Sequence, residues 1–350
     1  MFISVIIPVY NGGRPFRQCL QALQKSHYKQ WECIVVDDGS TDGSREFARE
    51  LGACVVATPR PKSGPAEARN LGAKAARGDV LLFIDADVAV QPGTLGHVAA
   101  VLQANPTTAA IFGSYDDTPL ADNFLSQYRN LLHHYVHQQA NIDASTFWSG
   151  CGAVRRSVFM EMGGFDTAVY KRPSIEDIEL GYRMIQAGHH ILLDKLLQVQ
   201  HMKEWTAAQI IKTDIFDRAV PWTQLILKAG SVPNDLNLQT SQRLSAAAVW
   251  IGLFSLCLIP WQKGFTLPFL VALFTLLKLN VGFYTFLWHK KGTAFLFKAV
   301  AWHWLYFAYS SLVFAGCVFW YELLGQANPA PTWHKSHPPR SLVDNPASGL

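Results

Sequence analysis

Two carboxylates, two residues apart, follow a short apolar run. Asp85 and Asp87 come directly after Val80–Ile84, a continuously apolar stretch typical of a strand that is buried on both faces of a sheet. The chain turns at the end of a strand, so both carboxylates can approach one cation. Carboxylate oxygens suit Mg²⁺ and Mn²⁺, which share their coordination shell with substrate phosphates. The spacing therefore predicts a divalent-metal site at Asp85 and Asp87.

A second acidic pair, Asp37 and Asp38, follows another apolar run at Cys33–Val36. Carboxylates in this position can accept hydrogen bonds from a nucleotide base or from ribose hydroxyls. The alternative is helix capping, because a Ser-Thr-Asp sequence follows and can close a helix N-terminus. Both interpretations stay open.

A basic residue and a third acidic pair complete the candidates. Arg69 lies on a predicted helix that leads towards the strand Val80–Ile84, which precedes Asp85. Its planar guanidinium suits a diphosphate. The alternative is an ordinary surface arginine. Glu176 and Asp177 open an amphipathic helix, where acids also stabilise the helix N-terminus. A carboxylate there could deprotonate an acceptor hydroxyl as a general base. His201 is a candidate third metal ligand or phosphate contact, and the alternative is a structural histidine.

A layered α/β domain would bring these residues together. Short runs rich in β-branched residues alternate with helical stretches, which is typical of a mostly parallel sheet flanked by helices. The predicted strands are Ile3–Val9, Cys33–Val36 and Val80–Ile84, and the predicted helices are Arg14–Lys25, Ser44–Leu51 and Pro65–Ala76. Ligands gather at the carboxyl ends of such strands. Asn11 follows the first strand, as the acidic pairs follow the other two.

The composition changes along the 350 residues. Charged residues make up only 16% and hydrophobic residues 49%, and the deficit of charge falls after about residue 240. A net charge of +4 without blocks of like charge argues against a nucleic-acid partner. The six cysteines are scattered without a CxxC pair, so neither disulfides nor a zinc site is expected, and a reducing compartment is the default. The first residues read as a strand, not a signal peptide.

Three long apolar segments close the chain and predict membrane-spanning helices. They are Leu244–Pro260, Phe265–Trp288 and Ala294–Leu324, each long enough, or nearly so, for the roughly 20 residues that a bilayer core requires. Tryptophans near their ends fit an interfacial aromatic belt. The alternative is a buried helical subdomain. Lys278 is expected to snorkel or to face protein, and it could instead meet a lipid phosphate.

The basic sequence His289–Lys291 indicates a cytoplasmic loop by the positive-inside rule. We therefore expect a multi-pass protein of the inner membrane whose amino-terminal domain faces the cytoplasm. The expected divisions are a catalytic domain at 1–205, an amphipathic linker at 206–240, membrane helices at 241–324 and a disordered tail at 325–350. The linker could lie along the membrane surface or pack against the domain.

Taken together, these residues resemble the family 2 glycosyltransferases of the GT-A fold. The shared features occur in the family's order and spacing over about residues 3–205. They are Ser4–Asn11, the Val-Val-Asp-Asp-Gly-Ser-Thr-Asp and Ala-Arg-Asn-Leu-Gly-Ala segments, the Asp-Ala-Asp motif and the Glu176–Asp177 pair. The resemblance implies a GT-A type α/β domain that binds a nucleotide-diphosphate-sugar donor together with Mg²⁺ or Mn²⁺.

The resemblance also implies roles for individual residues. The implied donor-binding residues are Pro8, Tyr10, Asn11, Asp37, Asp38, Arg69 and Asp85. Of these, Pro8, Tyr10 and Asp38 would line the base pocket. Arg69 would touch the diphosphate, and Asp87 with Asp85 would hold the metal, with His201 as the further candidate. Asp177 would be the catalytic base, with Glu176 beside it.

The reaction implied by the resemblance is a single displacement that inverts the anomeric centre. We expect transfer to a hydroxyl of a membrane-associated acceptor, either a glycolipid or a lipid-linked saccharide. The alternatives are a polyprenyl phosphate acceptor, which needs no strong base, and a non-catalytic membrane protein that binds nucleotide-sugar. Processive synthases of the family carry a Gln-x-x-Arg-Trp motif, but here three residues separate Arg218 from Trp222. A polymer-extruding synthase is therefore not expected.

Overall fold

An eight-stranded mixed sheet forms the centre of the amino-terminal part of the chain. The protein is described by a computed structural model over residues 1–230 and 236–324, so the predicted disordered tail at 325–350 lies outside the described residues. Within these residues the strands are β1 Ile3–Val9, β2 Trp31–Asp37, β3 Cys54–Ala57, β4 Val80–Ile84, β5 Val88–Ala89, β6 Thr108–Tyr115, β7 Cys151–Arg155 and β8 His190–His201. The helices among them are α1 Gly13–Gln24, α2 Ser44–Glu50, α3 Pro65–Ala75, α4 Thr94–Ala104, α5 Phe124–Gln139, α6 Arg156–Glu161 and α7 Glu176–Gln186.

Parallel pairing brings the ends of three strands to one edge of the sheet. The strand order is β3-β2-β1-β4-β7-β6-β8-β5, with β7 antiparallel to both of its neighbours and β5 antiparallel to β8. Val9 pairs with Asp37 and Ile6 with Phe83, so the residues after β1, β2 and β4 leave the sheet together. The predicted α/β sheet is confirmed, and the predicted strands at β1 and β4 match residue for residue.

Apolar helix faces cover both sides of the sheet, which explains why the central strands read as unbroken apolar runs. Helices α1 and α4 pack on one face, through side chains such as Phe16 and Leu102. Helices α3 and α7 pack on the other face, through side chains such as Leu180. Gly72 lets α3 approach closely, because a Cβ there would lie 2.4 Å from Ile6 Cγ2. The three predicted helices agree with α1, α2 and α3 to within one residue at each end.

The segment after β8 packs between the sheet and the carboxyl-terminal helices. It consists of α8 Ala207–Lys212, a π-helical segment Thr213–Ala219 and α9 Val220–Ala229. Asp214 pairs with Arg129 of α5 at 2.8 Å and accepts a hydrogen bond from the Tyr309 hydroxyl at 2.6 Å. Of the two expected alternatives for the linker, the described part therefore fits packing against protein. Residues 231–235 of the linker lie outside the described residues.

Three further helices close the described chain. They are α10 Thr240–Leu258, α11 Thr266–Leu279 and α12 Val281–Leu324. Two stretches, Thr240–Leu258 and Val281–Tyr321, are long and apolar enough to cross a membrane by length and composition. Helix α11 has only 14 residues, so the second predicted segment is divided at Asn280. Helix α12 bends sharply at Gly292, where φ is 78° and ψ is −179°.

These helices expose apolar side chains, and a charge pair is among the contacts that they make with the sheet domain. Trp250, Phe274 and Phe319 are among the exposed aromatic residues. Lys278 is also exposed, with its ammonium 5.9 Å from the Phe274 ring centroid. Lys290, just before the bend in α12, pairs with Asp117 in the loop after β6. The bend therefore lies against the sheet domain.

Candidate active site

The acidic motif after β4 meets His201 at the end of β8. Strand β5 pairs Val88 with His201, and this register places His201 Nε2 3.8 Å from an Asp87 carboxylate oxygen. The His201 ring stacks on Tyr115, with ring centroids 4.0 Å apart. Asp85 lies two residues before Asp87, and 30% of its side chain is exposed. The three predicted metal residues thus lie at one edge of the sheet.

The chemistry of this donor set fits a hard divalent cation. Burial, with the nearby charge of Lys203, lowers the pKa of His201 to about 3, so the imidazole is neutral and keeps a lone pair. Burial raises the pKa of Asp87, an effect that a bound cation would oppose. Among the described residues, no three His, Cys, Asp or Glu side chains converge closely enough to hold an ion by themselves. Phosphate oxygens of a substrate would complete the shell.

Arg69 links the metal strand to the helix that carries the acidic pair. Its guanidinium donates to Asp85 at 2.7 Å and to Glu176 at 2.8 Å. Only 5% of the Arg69 side chain is exposed, and its Nε has no hydrogen-bond partner within residues 1–230 and 236–324. Although burial opposes it, the carboxylates raise the pKa of Arg69. Arg69 therefore positions Asp85 and Glu176, and its contact with a diphosphate stays a prediction.

Glu176 and Asp177 occupy different environments at the start of α7. Glu176 is buried and accepts hydrogen bonds from Arg69 and from the Ser174 N–H at 2.9 Å. Burial raises its pKa, against the charge of Arg69. Asp177 is only half-buried, and one of its oxygens accepts from the Ser149 N–H at 2.9 Å and the Ser149 hydroxyl at 3.0 Å. Asp177 can therefore meet a substrate, whereas Glu176 serves as a partner of Arg69.

The carboxylate of Asp37 is occupied by contacts with the residues that follow β2. It accepts a hydrogen bond from the Ser40 N–H at 3.0 Å and pairs with Arg45 at 2.5 Å. Burial works against ionisation, but these contacts lower the pKa of Asp37. Asn11 accepts from the Thr41 N–H at 2.8 Å, and its own N–H donates to the Ser40 hydroxyl at 2.9 Å. Both predicted donor-binding residues thus hold the loops after β1 and β2 together.

Asp38 organises the loop that faces the first strand. Its carboxylate accepts from the Thr58 hydroxyl at 2.8 Å, the Ser63 N–H at 2.8 Å and the Gly64 N–H at 2.9 Å. Tyr10 is 45% exposed beside Lys62, whose ammonium lies 5.4 Å from the ring centroid. An exposed aromatic face next to an ordered polar loop can receive a flat base.

Pro8, the third predicted base-pocket residue, is half-buried near the end of β1 and pairs with Val36 of β2. The structure therefore places Pro8 and Tyr10 on the strand and loop next to the Asp38 loop.

Ser149 holds Asp177 through two hydrogen bonds, and none of the sequence motifs pointed to this residue. The available signal was the small-residue run Ser149–Gly152 in front of an apolar strand, since small residues often mark close backbone approach. A Cβ at Gly152 would lie 2.2 Å from the Trp148 carbonyl oxygen. The run therefore lets the chain fold tightly beneath Asp177.

A cavity of about 870 Å³ adjoins this edge of the sheet, within the range of about 300–1,000 Å³ that is typical of ligand pockets. It lies between α5, the π-helical segment, α9, α10 and α12. Its polar end includes Tyr115, Arg129, His201 and Arg218. The described residues that line it include His201 but neither Asp87 nor Asp177. The cavity therefore lies beside the predicted metal residues and does not enclose them.

The fold and the site define a class of protein. A mixed sheet with acidic residues at the ends of β2 and β4 and at the start of α7 is a GT-A-like arrangement. The mannosyltransferase PcManGT from Pyrobaculum calidifontis, solved in complex with GDP-Man and Mn²⁺, aligns with a TM-score of 0.58 at 20% identity. The alignment covers 87% of this chain and 86% of that one. The predicted GT-A fold is confirmed.

Sequence comparison specifies the family. Residues 4–163 match the family described as "Glycosyl transferase family 2". The O-antigen chain rhamnosyltransferase RfbN of Salmonella typhimurium is 28% identical over 64% of this chain and 75% of its own length. Glycosyltransferase GlyG of Streptococcus pneumoniae is 31% identical over 35% of this chain. The chain spans only 42% of GlyG and 62% of an uncharacterized glycosyltransferase of Haemophilus influenzae. Residues 4–163 belong to glycosyl transferase family 2, as their motifs predicted.

Proposed function

We propose that this chain is a metal-dependent, inverting glycosyltransferase that moves a sugar from a nucleotide-diphosphate donor to a hydroxyl of a membrane-associated acceptor, a glycolipid or a lipid-linked saccharide. The observation that carries the proposal is the Arg69 bridge. By joining Asp85 to Glu176, it fixes the metal strand and Asp177 at one edge of the sheet. The glycosyltransferase relatives and the GDP-Man and Mn²⁺ complex of PcManGT support a nucleotide-sugar donor and a divalent ion.

In this reaction Asp177 accepts the proton of the acceptor hydroxyl while that oxygen attacks the anomeric carbon. The bond between the anomeric carbon and the donor diphosphate breaks on the opposite side, so the configuration inverts. The hydrogen bonds from Ser149 hold the Asp177 carboxylate in place during the transfer. A bound Mg²⁺ or Mn²⁺, held by Asp85, Asp87 and His201, would offset the charge of the departing diphosphate.

Charge repulsion explains why the reaction would need the cation. Arg69 supplies one positive charge for two carboxylates, Asp85 and Glu176, and Asp87 and Asp177 add further negative charge. A diphosphate entering this site would meet close like charges, each costing about 4 kcal/mol at 4 Å and an effective dielectric constant near 20. We therefore expect absolute dependence on a divalent metal.

Membrane attachment through the carboxyl-terminal helices is part of the proposal. The outward apolar side chains of α10 and α12 support insertion into a bilayer. The pairing of Lys290 with Asp117 supports a placement in which the basic sequence His289–Lys291 and the catalytic domain share one side. By the positive-inside rule this side is the cytoplasm. The protein would then be a multi-pass protein of the inner membrane.

A polyprenyl phosphate acceptor is the second candidate, and the arginines that line the adjoining cavity, Arg129 and Arg218 among them, favour it. The two candidates differ in their need for a base, because a phosphate acceptor is already an anion. With a hydroxyl acceptor, Asp177→Asn should lower the transfer rate by about 10²–10⁴-fold. With a phosphate acceptor, the same variant should only slow the reaction slightly.

The proposal is tested by incubating the purified full chain with a panel of nucleotide-sugars, Mn²⁺ and total membrane lipid. Mass spectrometry of the lipid fraction should show one glycosylated product that disappears when the metal is chelated. The Asp177→Asn variant is assayed in parallel, because its residual transfer rate distinguishes a hydroxyl acceptor from a phosphate acceptor. Tight donor binding with neither hydrolysis nor transfer for any donor would instead indicate a non-catalytic binding protein.

A further inference from the structure

The polar end of the cavity carries more positive than negative charge. Arg129, Arg218 and Arg243 line the cavity, and Asp214 is the one carboxylate among its described lining residues. Asp214 already pairs with Arg129 and accepts a hydrogen bond from Tyr309. Arg129 also lies over the Trp205 ring at 4.7 Å. The arginines that line the cavity therefore outnumber its described carboxylates.

Arg218 is the guanidinium that lacks a partner. It forms no ion pair or hydrogen bond with the residues that the structure describes, and its exposed surface faces the cavity. Burial and the neighbouring charge of Arg129 lower its pKa. A guanidinium that is partly desolvated by a cavity wall is stabilised when a counter-charge pairs with it. The site is therefore set up to receive an anion.

Unsatisfied hydrogen-bond donors point the same way. Arg129 Nη2 and Trp205 Nε1 are buried and have no acceptor among the described residues, and both residues line the cavity. Neither atom can accept a hydrogen bond, so a partner must bring acceptor oxygens. A phosphoryl group offers several charged acceptors, and arginine matches its geometry with two parallel hydrogen bonds. A neutral sugar hydroxyl would leave the Arg218 charge unbalanced.

The other end of the same cavity is apolar. Trp250 of α10 and Trp302, Phe307 and Phe314 of α12 line it. These helices also present apolar side chains to the outside, so the apolar end lies within the proposed membrane region. A ligand that fills both ends needs an anionic head and a hydrocarbon chain.

We propose that this cavity binds a lipid acceptor, with a lipid-borne phosphoryl group on Arg129 and Arg218 and the hydrocarbon chain along Trp250, Trp302 and Phe314. The inference rests on the proposed glycosyl transfer and names the chemical class of its acceptor. The position is suitable, because the cavity that Arg218 lines also reaches Tyr115 and His201 at the predicted metal site, where the two rings stack. The bound phosphoryl group would hold the acceptor beside the catalytic base.

The test is a binding experiment on the full chain in a maltoside detergent, with tryptophan fluorescence as the readout. Hexadecyl phosphate and hexadecanol differ only in the phosphoryl group, and wild type should bind the phosphate at least about tenfold more tightly. Arg218→Gln should remove this preference, and Arg218→Lys should keep part of it. Arg172→Gln is the matched control, because Arg172 pairs with Asp217 of the same π-helical segment and does not line the cavity.

Parallel titrations with uridine and guanosine diphosphate plus Mn²⁺ separate the acceptor from the donor. The proposal expects Arg218→Gln to bind them as wild type does. Weakened nucleotide binding with an intact preference for hexadecyl phosphate would assign the arginine to the donor and overturn the proposal. Equal binding of phosphate and alcohol by wild type would also overturn it. Because no turnover is required, hexadecyl phosphate selectivity in a chain that transfers no sugar would refute the proposed function and leave the site standing.

Discussion

Asn11, Asp37 and Asp38 form the predicted donor side of the sheet edge. Its predicted catalytic side consists of Arg69, Asp85, Asp87, Glu176 and Asp177. The two sides differ in how far along the chain their hydrogen-bond partners lie. Asp37 and Asp38 are bound by residues 3 to 26 positions away in the chain. At the catalytic side, Arg69 reaches Glu176 across 107 positions, and Ser149 holds Asp177 across 28. The donor-side contacts therefore span at most 30 positions, whereas the Arg69–Glu176 pair of the catalytic side forms only once elements 107 positions apart have packed.

This difference has an energetic consequence. Asp38 is buried, but its partners are neutral groups of one neighbouring loop, so losing its carboxylate should loosen that loop without moving the sheet. On the catalytic side, Asp85 and the buried Glu176 share the buried Arg69, so losing the arginine leaves an uncompensated buried charge. Substitutions should therefore cost more at the catalytic side than at the donor side, in both activity and stability.

The largest expected effect comes from Asp87→Ala at the catalytic side. Losing the predicted metal ligand should remove several kcal/mol of charge stabilisation, and transfer should fall by roughly 10³-fold or more while the fold is retained. Transfer is measured with labelled donor at saturating Mn²⁺. Asp143→Ala is a suitable control, because Asp143 is an exposed acid that pairs with His190 away from this edge. Near-normal turnover of the wild type in excess chelator would contradict the metal site itself.

Arg69→Gln should have the next largest effect. Asp85 and the buried Glu176 would lose their shared partner, which should destabilise the fold by about 3–5 kcal/mol. Misplacement of Asp85 should slow transfer by about 100-fold. Thermal unfolding and transfer rates measure the two effects.

A double substitution makes the Arg69 prediction sharper. Adding Glu176→Gln to Arg69→Gln removes the charge that the first change leaves buried, so the double variant should recover part of the lost stability. Purely additive losses would show that Arg69 and Glu176 do not act as a pair.

The same contrast explains how far the sequence alone could lead. The apolar runs at Ile3–Val9 and Val80–Ile84 predicted their strands because burial on both faces requires such runs. Asp85, Asp87 and Asp177 could be predicted as candidate site residues because their motifs lie at the end of a strand or at the start of a helix.

Partner assignments were harder, because pairing across the fold leaves little local signal. Arg69 was predicted to contact diphosphate, yet its distance to Glu176 depends on how α3 and α7 pack on the sheet. Ser149 and Arg218 escaped prediction for the same reason. Their importance lies in what they face, and residue type alone does not reveal that.

On the donor side, Asp38→Ala should have a smaller effect. It removes the acceptor for the Thr58 hydroxyl and for the N–H groups of Ser63 and Gly64. We expect the donor KM to rise about tenfold, with kcat changed by no more than a few-fold, because the loop loosens while the catalytic groups stay in place. Asp38→Asn, which retains one acceptor oxygen, should be intermediate. A large drop in kcat with an unchanged donor KM would mean that the two sides are not separable.

The smallest expected effect is at the contact between the π-helical segment and α12. Tyr309→Phe removes one hydrogen bond to Asp214 but leaves the ion pair with Arg129, so stability should fall by only about 0.5–1.5 kcal/mol. Thermal unfolding in detergent measures this change. Tyr321→Phe on the same helix is the control, since no hydrogen bond to its hydroxyl is found within the described part of the chain. If Tyr309→Phe destabilised the protein as much as Arg69→Gln, long-range pairing would matter as much at the helix contact as at the catalytic edge, and the contrast would need a different cause.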